Sequence, residues 1–98
     1  MTSHFIISAL DREGCLELRM RVRPDHAAYV RANTPAMVKI AGPYLNQQGD
    51  MVGSMFIVTA GSQEEAERFI AQDPYAKAGL FAEVRVRPWK LVIGKLED

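Results

Sequence analysis

Apolar and polar positions change their spacing several times along this chain, and each change predicts an element. The run His4-Phe5-Ile6-Ile7-Ser8-Ala9-Leu10 is apolar and rich in β-formers, and Asp11-Arg12-Glu13-Gly14 ends it. It reads as a first strand followed by a loop. From Cys15 to Arg21 the apolar residues Leu16, Leu18 and Met20 alternate with charged ones. That pattern alone is a strand, while the Arg23-Pro24 that follows suits the start of a helix equally well. Pro24 pre-sets the backbone of a first helical turn, where a missing N–H costs nothing, and Asp25 complements the positive helix end. The helix then runs to Ala32, and Asn33-Thr34-Pro35 stops it, because the residue before a proline disfavours the helical region.

The second half is read the same way. Ala36 to Ala41 is another apolar stretch, closed by the breakers Gly42-Pro43. Asn46-Gln47-Gln48-Gly49-Asp50 has the form of a hairpin loop, with Tyr44 to Asp50 expected to be mobile and to border a pocket. Val52 to Ala60 is the clearest strand, with apolar residues on both faces as a central strand requires. Ser62-Gln63-Glu64-Glu65 is a capping box: the serine oxygen serves an orphan N–H and the glutamate reaches back to the cap. The helix it opens carries Ala66, Phe69 and Ile70 on one stripe and ends near Asp73-Pro74. Phe81 to Trp89 alternates Ala82, Val84 and Val86 with Glu83, Arg85 and Arg87, a half-buried strand that Leu91-Val92-Ile93 continue beyond Pro88. The order strand, helix, strand, strand, helix, strand is that of a ferredoxin-like α+β fold, an antiparallel sheet with both helices on one face. Its other face is left apolar and uncovered, so a homodimer packed through the sheets is expected, with Trp89 near the contact.

Composition narrows the function. A chain of 98 residues, 48% hydrophobic, has room for one core and hence one domain spanning 1–98. Twelve basic and twelve acidic residues cancel, so nothing points to nucleic acid. The N-terminus shows neither a signal peptide nor a membrane span. The lone Cys15 can form no internal disulfide, which fits a reducing cytoplasm, and it has no activating neighbour. The two histidines and scattered carboxylates lack metal-ligand spacing, and no P-loop, dinucleotide fingerprint or serine-nucleophile motif is present. The expectation is therefore no metal and no cofactor. What stands out is Asp73-Pro74-Tyr75 together with Pro24-Asp25-His26: a carboxylate at a corner and an imidazole on another helix, which meet if one half folds against the other.

The helix start Arg23-Pro24-Asp25-His26 and the turn Ala41-Gly42-Pro43 are followed by the strand Gly53 to Val58 and the capped helix after Ser62. The corner Asp73-Pro74-Tyr75 and the segment Val84-Arg85-Val86-Arg87-Pro88-Trp89 complete an ordered set. From about His4 to about Ile93 this set closely resembles the YCII-related (YciI-like) family. The resemblance implies a dimeric α+β barrel and a catalytic pair, a histidine on the first helix and an aspartate at the corner, which by motif are His26 and Asp73. Between Asp11 and Val22 the chain departs from the family, having fewer turn residues than a longer loop would need.

Histidine is the side chain best suited to move a proton at neutral pH, and a carboxylate on one ring nitrogen fixes the tautomer and stabilises the imidazolium. Such a pair supports proton abstraction and return: isomerisation, or elimination from an activated ring or lactone. Tyr75 and Ser54 are the candidate substrate-binding residues beside it. Each has a bland alternative. His26 can be a helix-end residue bonded locally, Asp73 a turn initiator, Tyr75 a core ring with a satisfied tip, and Ser54 a small residue in tight packing. The sequence thus supports a His/Asp acid–base enzyme of lyase or isomerase type acting on a small organic molecule. The alternative is a non-catalytic module of the same fold that binds a small ligand or a protein. A pocket containing both groups distinguishes the first from the second.

Overall fold

The structure is a computed structural model that describes residues 3–96. Its elements are β1 (Ser3–Asp11), α1 (Leu16–Ala32), β2 (Val38–Leu45), β3 (Met51–Ala60), α2 (Gln63–Ala71), α3 (Pro74–Lys77) and β4 (Phe81–Trp89). The four strands form one antiparallel sheet in the order β2-β3-β1-β4. The expected ferredoxin-like α+β arrangement is present, with one short helix added at the Asp73 corner.

Register decides which residues share a face. Phe5, Ile7 and Ala9 of β1 pair with Val58, Phe56 and Ser54 of β3, and Val38 and Ala41 of β2 pair with Val58 and Phe56. Period-two alternation puts all of these on the helix side. There Phe5, Ile7, Val38, Phe56 and Val58 join Ala66, Phe69 and Ile70 of α2 in one core, with Tyr29 and Val30 of α1 packed against it. Tyr29 also donates its hydroxyl to the Phe69 carbonyl at 2.6 Å, tying α1 to α2. The cap of α2 forms as expected at Ser62, whose Oγ accepts from Glu65 N–H at 3.2 Å. The returning Glu65 carboxylate binds the Gly61 N–H rather than that of Ser62.

Helix α1 begins at Leu16, so residues 15–21 are not a strand, and Pro24 lies inside the helix rather than at its start. The alternation misleads because the residue buried on this stretch is Arg19, while Leu16 and Met20 stand 39% and 46% exposed. Pro24 cannot donate to the Met20 carbonyl. Both residues lie on the exposed side of the helix, where solvent serves the freed oxygen.

Gly42-Pro43 does not close the second strand either: β2 runs through both to Leu45. As an edge strand it tolerates a residue without an N–H. Tyr44 and Leu45 therefore belong to the strand, and only 46–50 form the loop, where Asn46 Oδ1 accepts from the Gln48 and Asp50 N–H groups. Pro88 is accommodated inside the other edge strand, β4, which ends at Trp89; residues 91–93 are not a strand, and Val92 and Ile93 are exposed.

Candidate active site

The site grows from one face of α1. Arg19, Arg23, His26, Ala27, Val30 and Arg31 recur at helical spacing and line one wall of a pocket of about 190 Å³. The opposite wall comes from the sheet: Pro43 of β2, and Met51, Ser54 and Phe56 of β3, with Tyr75 of α3 completing it. Phe56 and Met51 supply apolar surface, and the guanidiniums and imidazole supply the polar groups.

Asp73 is placed by its own backbone. As the N-cap of α3 it is extended, and its Oδ1 accepts from the Tyr75 N–H at 2.9 Å, the ordinary reason for Asp before a Pro-led helix. The same carboxylate meets His26, whose Nδ1 lies 2.9 Å from both Oδ1 and Oδ2. Asp73 has no exposed surface, and the His26 side chain is 16% exposed. A carboxylate can only accept, so Nδ1 of His26 carries a proton, and in the neutral ring the lone pair is then on Nε2. His26 lines the pocket, and Asp73 stands behind it.

Tyr75 fixes the ring from the side. Its phenol stacks on the imidazole with centroids 4.0 Å apart and planes at 18°. The opposite face of Tyr75 carries the Arg19 guanidinium, 4.4 Å from the ring centroid. Arg19 is itself 2% exposed and held by two donations to Asp11, at 2.6 and 3.0 Å, and one to Ser54 Oγ at 2.8 Å. The imidazole is thus held by the carboxylate at Nδ1 and by a stack running through Tyr75 to the Arg19–Asp11 pair. One atom in this group is left over: the buried Tyr75 hydroxyl makes no hydrogen bond. Burial pushes it above the ordinary tyrosine value, against the lowering pull of the Arg19 and Arg23 cations. Tyr29 is shifted the same way, first by burial and then by the nearby Asp73.

His26, Asp73 and Tyr75 are therefore brought together. Ser54 lines the same pocket, but its hydroxyl is engaged by Arg19. Sequence reasoning missed Asp11, Arg19, Arg23 and Arg31. The signal was there: carrying the helical period backwards from His26 passes through Arg23 and Arg19. The thiol of Cys15 lies just before α1 and reaches only the Glu13 carbonyl, at 3.6 Å. Among the described residues no group of three or more His, Cys, Asp or Glu is arranged to hold a metal, and no helix is long and apolar enough to cross a membrane.

A four-stranded antiparallel sheet with helices on one face and a His–Asp pocket beneath them defines a class within the α+β folds, and comparison with known proteins refines it. The chain belongs to the YCII-related domain family, which matches residues 3–90. Protein YciI of Escherichia coli O6:H1 is 34% identical over 95 residues, covering 90% of this chain and 97% of that protein. An uncharacterised Haemophilus influenzae protein is 30% identical over 96 residues, covering 91% and 98%. Among solved structures, 5-chloro-2-hydroxyhydroquinone dehydrochlorinase from Burkholderia phenoliruptrix, in complex with 2,5-dihydroxybenzoquinone, superposes with a TM-score of 0.81 at 37% identity over 89% of this chain and 93% of that one. An antibiotic biosynthesis monooxygenase superposes at 0.56 with 10% identity over 95% and 100%, a likeness of fold alone.

Proposed function

We propose that this protein is a small-molecule acid–base enzyme of lyase or isomerase type, with His26 as the base and Asp73 as the residue that orients it. The observation that carries the reading is the contact of His26 Nδ1 with both oxygens of a fully buried Asp73, with His26 lining a pocket. In the reaction Nε2 takes a proton from a C–H or O–H group of the substrate. The electron pair left behind moves into the substrate's π system. In an elimination a leaving group then departs with its bonding pair; in an isomerisation the imidazolium returns the proton to another atom. The Asp73 carboxylate stabilises the imidazolium between these steps. Tyr75 and Ser54 border the substrate, Tyr75 with an unpaired hydroxyl. Likeness to a dehydrochlorinase, which by its name removes the elements of hydrogen chloride, supports the elimination branch.

The proposal includes a cytoplasmic homodimer closed through the open sheet face, where Ile40 and Leu10 are exposed beside Ile6, Met55 and Trp89. The direct test is turnover of 5-chloro-2-hydroxyhydroquinone, followed by chloride release and ultraviolet absorbance, with its unhalogenated parent, which has no leaving group, as the control. The wild type accelerates loss of chloride, and His26→Asn and Asp73→Asn each lose about 10²-fold or more of that rate. Turnover unchanged in His26→Asn would overturn the reading.

A further inference from the structure

The charge of the pocket is not that of the chain. Basic and acidic residues balance over the whole sequence, yet the lining contains Arg19, Arg23, Arg31 and His26 and no carboxylate. Two of these groups are already answered: the Arg19 guanidinium by Asp11, and the His26 imidazole by Asp73 from behind. The side chains of Arg23 and Arg31 make no hydrogen bond or ion pair among the described residues, although both residues line the same cavity. They lie eight residues apart on one face of α1 with the small Ala27 between them, and all three line the same cavity. Tyr75, which also lines the pocket, has a buried hydroxyl that makes no hydrogen bond. An unpartnered polar group in a buried wall is costly unless something in the pocket answers it.

From this we infer that the molecule taken up by the pocket is an organic anion of about single-ring size, its negative oxygen held by Arg23 and Arg31. Apolar walls from Pro43, Met51 and Phe56 face the ring, and a volume of about 190 Å³ lies below the range for drug-sized ligands. Guanidiniums bind carboxylate or phenolate oxygens through paired N–H donors, which sets orientation as well as affinity. Held at that oxygen, the ring presents its remaining atoms to His26 Nε2. Arg23 and Arg31 are thus residues that select the charge of the substrate, and they act in binding rather than in proton transfer. The inference rests on the reading of this pocket as a small-molecule site and not on the reaction that follows.

The test uses the whole protein and two probes of one shape, 4-hydroxybenzoate and the neutral 4-hydroxybenzamide, titrated while amide and ring NMR signals of the pocket are followed. The benzoate binds about tenfold more tightly than the amide. That preference disappears in the double variant Arg23→Gln/Arg31→Gln and is partly kept in Arg23→Lys/Arg31→Lys. Both side chains are exposed, so these variants fold. Equal affinity for the two probes, a preference that survives the double glutamine variant, or no binding of either would overturn the inference. His26→Asn separates it from the proposed reaction. A variant that keeps the charge preference and loses turnover supports both, whereas one that keeps both preference and turnover leaves the anion site standing and removes the base.

Discussion

On the helix side of the sheet each buried charge has a partner, whereas on the open side charges and apolar side chains stand together at the surface. Arg19 meets Asp11 and Ser54, and Asp73 meets His26 and the Tyr75 N–H. Across the sheet, Ile40, Ile57, Ile6 and Arg87 follow one another along one row of paired residues, and Gly42, Met55, Ser8 and Arg85 along the next. Arg85 pairs with Glu83 at 2.9 Å, both more than 40% exposed, an interaction worth about 0–1 kcal/mol. Tyr44 reaches over Gly53 to Ser8 Oγ at 2.9 Å. A Cβ at position 53 would stand 2.9 Å from that ring and 2.5 Å from the Ala9 carbonyl, so the glycine is what lets the tyrosine lie flat on the strand. The faces differ in what they do: burial with paired charges fixes an imidazole, and exposure with apolar rows is the surface through which the proposed dimer would close.

The sharpest way to break the comparison is to unpair a charge on the covered side. Arg19→Leu strands Asp11, and the stability lost is about 3–5 kcal/mol by urea denaturation, because an uncompensated buried carboxylate remains. Arg19→Leu combined with Asp11→Leu recovers most of it. A single variant as stable as the wild type would show that the pair is effectively solvated.

On the open side the corresponding change is Ile40→Glu. It leaves the fold intact and weakens the proposed dimer about 100-fold or more, since a charge replaces an apolar side chain on the face through which that dimer would close. Sedimentation then reports the 11.0 kDa monomer where the wild type reports twice that mass. A wild type that is monomeric at high concentration would contradict the account of this face.

A smaller effect tests the leftover hydroxyl. Tyr75→Phe removes an unpaired buried polar atom and stabilises the free protein by about 1 kcal/mol. It also changes the response to alkali. The folded-state value of Tyr75 is raised, so its contribution is complete below the ordinary 10.0 and is lost as pH rises from there through the folded-state value. Wild-type stability falls over that window, more steeply than in Tyr75→Phe, when urea midpoints are compared at about pH 9 and about pH 11. Identical slopes would place the hydroxyl in contact with water.

The legible parts of this fold were those in which local chemistry and burial agree. Strands β1 and β3 announced themselves by β-branched and aromatic runs, and α2 by Ser62 and its Ala66-Phe69-Ile70 stripe. The first half of α1 was not legible, because its inward residue is an arginine whose burial depends on Asp11 and Ser54, partners distant in sequence. The path of β2 through Gly42-Pro43 depends on its being an edge strand, which only the sheet order reveals. In the site, His26 and Asp73 were reached through their motifs, since a histidine two residues after a proline carries no mark of its distant carboxylate. Arg23 and Arg31 gained meaning only once the helix placed them on one wall.

The central claim is that Asp73 holds the proton of His26 on Nδ1 so that Nε2 faces the pocket as a base. Nitrogen-15 NMR of the imidazole in the free protein, above the pH at which the ring is cationic, reads this directly. The account predicts a protonated Nδ1 and an unprotonated Nε2 in the wild type, with the tautomers mixed or reversed in Asp73→Ala. A wild-type ring carrying its proton on Nε2 would contradict it.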